Sequence, residues 1–360
     1  MVDDAQMMRR ALFHAARAQG ATAPNPLVGA VVVDAEGVVV GEGFHARAGD
    51  AHAEVVALDA AGARGRGATL YVTLEPCCHT GRTGPCTERL LAAGVARVVV
   101  ATRDPDPRVS GGGIAQLRAA GVVVDVGLEE TAARRLNAAF LSVHERSRVL
   151  VVLKAATSRD GRIAAAPGLR TRITGAAASR RTQVLRASTD AIAVGVGTIL
   201  VDDPCLTVRD VVRDRPFTRV VFDRNLRTPA GARILTTPEG GRVIMVTSSA
   251  LLAERHDRVS ELEAQGVVVT GAATLEEACR RLVGFDVQTL LVEGGGRLQR
   301  ALWEAELVDR LHLIVAPGVL GDGGVPLFDG YPVPWDRLIG LNAEPCGQDV
   351  WIEADVHWNR

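Results

Sequence analysis

The chain has 360 residues, of which 47% are apolar and 23% charged, a composition typical of about two or three soluble globular domains. Its 41 basic and 42 acidic side chains leave a net charge of -1, so no basic field exists to gather nucleic acid, and a small-molecule substrate is the expected partner. No stretch approaches the length of a membrane helix, and six cysteines in such a chain indicate metal chemistry in a reducing, cytoplasmic compartment rather than a disulfide framework.

The first part of the chain alternates helical and strand-like segments. In chain order we predict a helix at residues 4–19, strands at 28–34 and 38–43, a helix at 52–61, a strand at 70–74, a helix at 87–93, a strand at 95–102, a helix at 114–120 and a strand at 122–126. This order predicts a three-layer α/β/α unit with about five strands. A helix at 131–144 leads out of it, so we expect one domain over residues 1–147 and a second over 148–360.

The second part again alternates apolar strands and helices. Predicted strands lie at residues 149–154, 191–196, 220–223, 243–247, 267–269, 289–293 and 311–316, and predicted helices at 179–187, 274–282 and 297–306. One strand runs through three glycines at 294–296 into a helix, a pattern more often a tight turn than a phosphate cradle. The Asp202-Asp203-Pro204 sequence is expected as a polar turn. The pattern predicts a second α/β domain.

Four residues of the first part carry chemistry. One imidazole and two thiols, at His52, Cys77 and Cys86, match the three protein ligands of a catalytic zinc, whose fourth position is left to water. Glu54 is not needed as a ligand and can move a proton from that water to a leaving amine. The pattern predicts a hydrolytic zinc deaminase with Glu54 as its catalytic residue.

The spacing leaves alternatives open. Zinc deaminases usually have two residues between their cysteines, whereas eight separate Cys77 from Cys86, and Cys78 directly follows Cys77. We prefer Cys77 as the ligand because it follows Pro76. A closed structural zinc completed by Cys78 or His79 is one alternative, although such a site has no use for a paired glutamate. Cysteines that only fill the core are another.

Lys154 is the one lysine among the 41 basic residues of the chain. Arginine and lysine are not equivalent where a compact or deprotonatable ammonium is needed, so Lys154 is a candidate functional residue. The alternative is that it survives by chance in a chain with a strong arginine bias.

The sequence resembles the bifunctional deaminase-reductase family of riboflavin biosynthesis over nearly its whole length. In the first part the resemblance rests on PNPLVG at residues 24–29, AHAEV at 51–55 and TLEPCCHTGRTGPC at 73–86. In the second part it rests on LKAATS at 153–158, DGR at 160–162, ITG at 173–175, LRA at 185–187, DDPCLTVR at 202–209 and VEGG at 292–295. That family has the same long gap between its cysteines. It usually has serine at the position of Cys78, which supports Cys77 as the ligand, and proline at that of Gly84.

The resemblance implies a cytidine-deaminase-like domain followed by a dihydrofolate-reductase-like domain, with Zn²⁺ and NADPH as cofactors. The deaminase would release ammonia from a diaminopyrimidine ribosyl phosphate, and the reductase would convert its ribosyl group to ribityl. By position, the implied NADPH contacts are Ala156, Arg172, Thr198, Asp202, Gly295, Gly296, Arg297, Leu298, Gln299, Arg300 and Ala301. The implied substrate contacts are Arg170, Arg186, Leu206, Arg209 and Glu293, the arginines being suited to phosphate. Asn25 and Lys154 lie inside family motifs and are further candidate site residues.

Three arginines depart from the family pattern. Arg159 stands where the family usually has leucine, Arg170 where it has a small polar residue, and Arg172 where it has tryptophan. They predict either additional phosphate contacts or a deaminase with an impaired reductase domain. A protein that is stapled by zinc and only binds a phosphorylated ligand is the alternative outside enzymes. Apolar strands of the second domain could form a sheet edge shared in a homodimer.

Overall fold

The computed structural model describes residues 3–80, 84–213 and 217–357. The chain divides into two compact units, Met1–Ser147 and Arg148–Arg360. Residues 81–83 of the cysteine-containing motif lie outside the described residues. No helix within the described part is long and apolar enough to cross a membrane.

The first unit is built on a five-stranded sheet with strand order β2-β1-β3-β4-β5. Its elements in chain order are α1 Asp4–Ala16, β1 Gly29–Val33, β2 Val39–Phe44, α2 Ala53–Ala61, β3 Thr69–Val72, α3 Cys86–Ala93, β4 Arg97–Val100, α4 Gly112–Ala119, β5 Val123–Val126, α5 Glu130–Leu136 and α6 Ala138–Arg146. Strand β1 is antiparallel to β2 and β3, and β3, β4 and β5 are parallel. The last residues of the parallel strands therefore meet at one edge of the sheet.

Helices cover both faces of this sheet. On one face Met8 and Ala11 of α1 pack with Val31 and Tyr71. On the other face a larger cluster contains apolar side chains of α2, α3 and α4, among them Ala57, Leu90 and Leu117. The prediction of a three-layer α/β/α unit on five strands is confirmed.

Glycines of β2 allow α2 to lie directly on the sheet. A Cβ at Gly41 would overlap the carbonyl oxygen of Ala57, and one at Gly43 would lie 2.6 Å from that of Ala53. Because protein interiors are close-packed, a side chain at either position would displace the helix. The position of α2, which carries Glu54, is thus set by the absence of side chains on β2.

The helix predicted at residues 131–144 is two helices, α5 and α6, and this prediction was wrong. The break lies at Asn137, whose Oδ1 accepts a hydrogen bond from the Leu27 amide at 2.8 Å. Its Nδ2 donates to the Leu27 carbonyl at 2.9 Å. This buried amide anchors the segment around Leu27, which a helical position facing solvent could not do.

The second unit has a nine-stranded sheet of order β11-β10-β9-β8-β12-β6-β13-β16-β15 and a two-stranded ribbon of β14 and β7. Its elements are β6 Leu150–Ser158, β7 Arg162–Ala164, α7 Ala176–Ala187, β8 Ala191–Gly195, α8 Val196–Asp202, β9 Thr218–Phe222, α9 Arg233–Thr236, β10 Arg242–Thr247, α10 Ser249–Glu254, α11 His256–Ala264, β11 Val267–Gly271, α12 Leu275–Val283, β12 Thr289–Gly294, α13 Gly296–Glu304, β13 Arg310–Ala316, β14 Val325–Pro326, β15 Leu338–Cys346 and β16 Asp349–Val356. The strands from β11 to β13 are parallel, and β16 and β15 are antiparallel additions.

Both faces of the parallel strands are buried. One cluster joins Cys279 and Leu282 of α12 to Leu302 and Trp303 of α13, and the other lies on the opposite face and includes Leu262 of α11. This is why the central strands read as continuous apolar runs and were predicted within a few residues.

Strands β7, β14, β15 and β16 were missed, as were the helices α8 to α11. Strand β15 is the edge of the sheet, and its side chains from Ile339 to Ala343 are exposed, so no buried face imposes an alternating pattern. The polar turn expected at residues 202–204 was also misplaced, because Asp202 is the last residue of α8.

A buried ion pair anchors the start of the second unit. Arg148 donates from Nη1 and Nη2 to the two carboxylate oxygens of Asp309 at 2.6 and 2.9 Å. Asp309 also accepts from the Val151 amide at 2.8 Å. The side chains of Arg148 and Asp309 are 4% and 5% exposed, so the pair is shielded from water.

Candidate active sites

The three predicted metal ligands converge in the first unit. His52 is the N-cap of α2, Cys86 is the first residue of α3, and Cys77 follows the end of β3. The Nδ1 atom of His52 lies 3.1 Å from Cys86 Sγ and 3.5 Å from Cys77 Sγ. One ligand atom from each residue falls within 4.8 Å of the others, and no other such group of three occurs within residues 3–80, 84–213 and 217–357.

The residue types and spacing of these groups suit a metal site. A hydrogen bond from Cys86 lowers the pKa of Cys77 to about 4, and the same contact raises the pKa of Cys86. The hydrogen bond to Cys77 also raises the pKa of the His52 imidazole. Thiolates and imidazole are the donor set of zinc, so these residues fit the metal. Neither Cys78 nor His79 joins this group, which supports Cys77 rather than Cys78 as the ligand.

Glu54 lies on the first turn of α2 beside the ligands. Its side chain is buried, with the residue 3% exposed, and burial raises the pKa of its carboxyl. A hydrogen bond with Cys86 acts in the opposite direction, as does the charge of His52. A carboxyl held in this way is able to accept a proton and to return it, which is the behaviour required of a general acid–base.

Asn25 reaches the same site through a histidine that the sequence analysis missed. Asn25 Nδ2 lies 3.0 Å from Nε2 of His45, whose Nδ1 lies 3.2 Å from the carbonyl oxygen of Ala51. An amide donor on Nε2 leaves the proton on Nδ1, where it is donated to that carbonyl. Burial lowers the pKa of His45, and its ring stands 5.6 Å from that of His52. The sequence signal that could have identified His45 was its position just after the strand predicted at residues 38–43 and seven residues before His52.

Glu75 was also missed. Its carboxylate accepts hydrogen bonds from the amides of Asp104 at 3.3 Å, Gly111 at 3.0 Å and Ile114 at 3.1 Å. It therefore ties the segment before α4 to the strand end that carries Cys77. Burial raises the pKa of Asp104 on this segment to about 6.

In the second unit Arg186 and Glu293 form a buried bidentate ion pair. Arg186 Nε and Nη2 donate to the Glu293 carboxylate at 2.6 and 2.8 Å, and Nη1 donates to the carbonyl of Thr207 at 2.8 Å. Burial opposes ionisation of Glu293, but Arg186, Lys154 and Arg209 lower its pKa overall. Burial lowers the pKa of Lys154, which lies near this pair on β6. The predicted substrate residues Arg186, Arg209 and Glu293 thus belong to one cluster with the lone lysine.

Two glycine-rich strand ends meet in the same unit. A Cβ at Gly294 would lie 2.7 Å from Thr198 Oγ1, and one at Gly195 would lie 3.5 Å from Leu298 Cβ. Gly295 has a φ of 83°, which a side chain would strain, and it joins β12 to α13. Several predicted NADPH contacts from separate motifs are therefore neighbours at the ends of β8 and β12. Such strand ends, with helix starts behind them, are where parallel sheets bind nucleotides.

The remaining predicted contacts surround these strand ends less closely. Ala156 lies on β6, next to β12, and Gln299 Nε2 donates to the Lys154 carbonyl at 3.1 Å. A Cβ at Gly296 would lie 3.0 Å from the Asp329 amide nitrogen. The exposed residues among the predicted contacts are Arg170, Arg172, Arg209, Arg297 and Arg300, and Ala301 is half-buried.

The surroundings of Asp202, Arg300 and Leu206 bear on the contacts predicted for them. Burial raises the pKa of Asp202, and the charge of Arg170 opposes that rise, so the two are close. Arg300 Nε is bound to Glu304 at 2.8 Å on the surface of α13. Leu206 is 6% exposed and packs in an apolar cluster, so its side chain is a core group.

Known proteins match both units. Residues 149–352 match the family model of the RibD C-terminal domain, and residues 1–102 match that of the cytidine and deoxycytidylate deaminase zinc-binding region. The riboflavin biosynthesis protein RibD of Aquifex aeolicus strain VF5 is 40% identical over 320 residues, which span 89% of this chain and 88% of that protein. The chain belongs to the RibD family.

Solved RibD structures have the same fold. Acinetobacter baumannii RibD, form 1, is 36% identical and superposes with a TM-score of 0.88 over 99% of both chains. The Thermotoga maritima diaminohydroxyphosphoribosylaminopyrimidine deaminase/5-amino-6-(5-phosphoribosylamino)uracil reductase is 32% identical, with a TM-score of 0.85 over 98% of this chain and 99% of its own.

RibD membership makes the chain a bifunctional enzyme of riboflavin biosynthesis, a zinc-dependent hydrolytic deaminase and an NADPH-dependent reductase. The predicted cytidine-deaminase-like and dihydrofolate-reductase-like domains are confirmed. A deaminase with a degenerate second domain and a zinc-stapled binding protein are not favoured, because both halves of the family are present.

Proposed function

We propose that the unit Met1–Ser147 carries the deaminase and the unit Arg148–Arg360 the reductase. The first step would convert 2,5-diamino-6-(5-phosphoribosylamino)pyrimidin-4-one and water to 5-amino-6-(5-phosphoribosylamino)uracil and ammonia, the substrate class of the Thermotoga maritima relative. The second would reduce the ribosyl group to ribityl. The observation that carries the proposal is the group of His52, Cys77 and Cys86 beside the buried Glu54.

In the deaminase, His52, Cys77 and Cys86 would hold zinc, which supplies a Lewis acid that makes water acidic near neutral pH. Glu54 takes a proton from the attacking water and returns it to the departing amine nitrogen. Its burial, which favours the protonated carboxyl, allows it to keep the proton between the two transfers. Asn25 contacts the pyrimidine through its Oδ1, since Nδ2 is turned towards His45.

Glu54→Gln tests this assignment because it removes the proton acceptor and keeps the side-chain volume. We expect ammonia release to fall about 10²- to 10⁴-fold, the usual contribution of a general acid–base, with zinc content unchanged. Glu88→Gln is the matched control, since Glu88 is an exposed residue two positions after Cys86. Ammonia release at the wild-type rate in the Glu54 variant would refute the role.

In the reductase, NADPH when bound supplies the hydride. We assign its contacts to Ala156 of β6, Arg172 before α7, and Thr198 and Asp202 of α8. At the start of α13 we assign Gly295, Gly296, Arg297, Leu298, Gln299, Arg300 and Ala301. Arg186 is already bound to Glu293 and Thr207, so Arg209, which is exposed beside them, is the better phosphate ligand. Glu293 and Lys154 then face the ribosyl group, where Lys154 is able to donate a proton.

The arginine departures support additional phosphate contacts. Arg159, Arg170 and Arg172 are all exposed, so none fills the interior space that leucine or tryptophan would require. Arg170 is close to Asp202, one of the assigned cofactor contacts. A guanidinium here offers charge-assisted bonds to the phosphates of cofactor or substrate.

Mass spectrometry of the products tests both halves in one reaction. Zinc-loaded protein, the diaminopyrimidine ribosyl phosphate and NADPH should give a deaminated ribityl product. A deaminated but unreduced product would refute the reductase assignment alone, and unchanged substrate would refute both.

We further propose a homodimer through β15. This strand is a sheet edge whose Ile339 and Leu341 are 53% and 51% exposed, and Val350 of β16 is 43% exposed. Unpaired strand edges with apolar side chains are templates for pairing, and a second copy would meet the edge with the same surface. Sedimentation should show a dimer, and Ile339→Asp with Leu341→Asp should give a monomer. A wild-type monomer at assay concentration would exclude it.

We propose the cytoplasm as the location. All six cysteines are free thiols, three of them in the metal motif, as expected where thiols are kept reduced. Cell fractionation followed by immunodetection checks the proposal, and recovery outside the cytoplasm would refute it.

A further inference from the structure

The segment from Asp203 to Asp210 has a strained backbone. Asp203, Leu206 and Asp210 have φ values of 40°, 52° and 59°, a region that side chains disfavour. Each such residue costs on the order of 1–3 kcal/mol and persists only where its surroundings impose it. Three within eight residues mean that other parts of the fold hold this segment in place.

Two residues of α7 bind this segment by hydrogen bonds. Arg186, which binds Glu293, also donates to the Thr207 carbonyl at 2.8 Å. Gln183 of the same helix accepts from the Arg209 amide through Oε1 at 2.9 Å. The segment therefore carries proposed substrate contacts and is joined directly to the Arg186–Glu293 pair.

A third residue that binds this segment is Arg219 on β9, which belongs to neither proposed active site. It is 2% exposed, and its guanidinium donates to the carbonyls of Cys205 at 3.2 Å, Ile234 at 2.7 Å and Gly241 at 2.6 Å. A Cβ at Gly240 would lie 2.5 Å from its Cζ, so that glycine makes room for the flat guanidinium.

Arg219 takes part in no ion pair within the described residues. The charge of Glu239 acts on Arg219 only from beyond ion-pair distance. A buried cation that is not directly paired with a carboxylate is costly, and an apolar side chain of similar volume is often as stable or more so. Stability alone therefore does not account for a charged group at this position. Its distinctive contact is the one with Cys205, inside the strained segment.

We propose that Arg219 is a positioning residue of the reductase, which fixes the Asp203–Asp210 segment so that Leu206 and Arg209 keep their places beside the Arg186–Glu293 pair. It touches neither substrate nor cofactor and acts through the Cys205 carbonyl. The inference rests on the proposed reductase function of this unit.

The test uses Arg219→Met, which keeps volume without donors, and Arg219→Lys, which keeps the charge with a different geometry. Arg242→Gln is the matched control, because Arg242 on the neighbouring strand donates to Thr218 Oγ1 and the Phe285 carbonyl and does not touch the segment. For each full-length protein we measure reduction of the deaminated substrate, ammonia release and hydrogen exchange of the backbone amides.

We expect kcat/KM for reduction to fall about 10- to 100-fold in Arg219→Met, mainly through KM for the substrate, since a small misplacement of contacts has such effects. Residues 203–210 should exchange faster while β10 and ammonia release stay as in the wild type. Arg219→Lys should show the same pattern more weakly, and Arg242→Gln none of it.

Two results would overturn the inference. One is unchanged exchange of residues 203–210 or unchanged reduction in Arg219→Met. The other is faster exchange throughout β9 and β10 in both Arg219 variants, which marks a merely structural role. Wild-type protein that does not reduce the substrate would instead refute the proposed function, so the two failures are distinguishable.

Discussion

The two sites of this RibD-family enzyme differ in how they are assembled. In the first unit, three ligands and one carboxyl from two short motifs converge on a volume a few ångströms wide. In the second, the proposed contacts come from four of the family motifs and from residues outside them, and the central Arg186 is already bound to Glu293. A metal site restricts residue type and distance at once, whereas a cofactor cleft restricts mostly backbone shape.

That difference decides how each site should respond to change. Loss of one metal ligand should abolish zinc binding, because a catalytic zinc is held by three protein ligands. Loss of one contact in a broad cleft leaves the others in place. The two activities in one chain allow each to serve as the internal control for the other.

The largest effect is expected from removal of zinc. Treatment with a chelator should reduce ammonia release more than about 100-fold, since the proton transfers at Glu54 alone are usually worth at least that. Reduction of the deaminated substrate should be unchanged, because no metal group lies in the described part of the second unit. Added zinc should restore ammonia release. Equal loss of both activities would contradict the prediction that zinc serves only the deaminase site.

Next in size is the loss of the Arg148–Asp309 pair. Arg148→Ala leaves Asp309 buried without its cation, so the unfolding free energy of the second unit should fall by about 3–5 kcal/mol. Arg310→Ala is the control, since Arg310 and Asp355 are partly exposed at 19% and 27% and should contribute less than about 1 kcal/mol. Denaturant unfolding, followed separately by ammonia release and by reduction, measures both. Similar losses in the two variants would contradict the role of burial.

Glu293→Gln should have a smaller and purely reductive effect. It removes the charge that Arg186 binds, and a hydrogen bond to a charged group is worth about 1.5–3 kcal/mol, so kcat/KM for reduction should fall about 10- to 100-fold. Glu276→Gln is the control, since Glu276 forms an exposed ion pair with Arg280 on α12. The measurement is the steady-state rate of NADPH oxidation. A normal rate in the Glu293 variant would show that Glu293 is not part of the reductase site.

The smallest effect belongs to Cys78→Ser, which introduces the residue usual in the family. Cys78 Sγ lies outside the metal group and 3.9 Å from the Arg108 carbonyl, so ammonia release should stay within about twofold and zinc content should not change. Cys77→Ser, by contrast, should lose zinc. Zinc loss from the Cys78 variant would reverse the assignment of the two adjacent cysteines.

Much of the first unit was readable from the sequence because its signals are local. The spacing of His52 and Glu54 puts both at one helix start, and apolar runs marked every strand of the five-stranded sheet. His45 and Glu75 escaped notice because neither belongs to a ligand pattern. Their roles depend on Asn25 and on the amides before α4, which lie far away in the chain.

In the second unit the central parallel strands were predicted. The exposed edge strand β15 and the contacts that fix the Asp203–Asp210 segment were not. Strand β15 has no buried face to impose periodicity, and Arg219 looks like any other arginine in a chain rich in them. That its guanidinium is buried against three carbonyl groups follows from the packing of β9 against distant turns.

The sequence by itself determined the candidate metal ligands, the candidate proton carrier, the alternation of strands and helices and the family motifs, all of which depend on residue type and short spacing. Only the tertiary structure showed that Cys77 rather than Cys78 lies beside His52 and Cys86, turned Arg186 towards Glu293, buried Leu206 and brought Arg219 to Cys205. Those outcomes depend on distances between residues remote in the chain, which are set by packing rather than by local pattern.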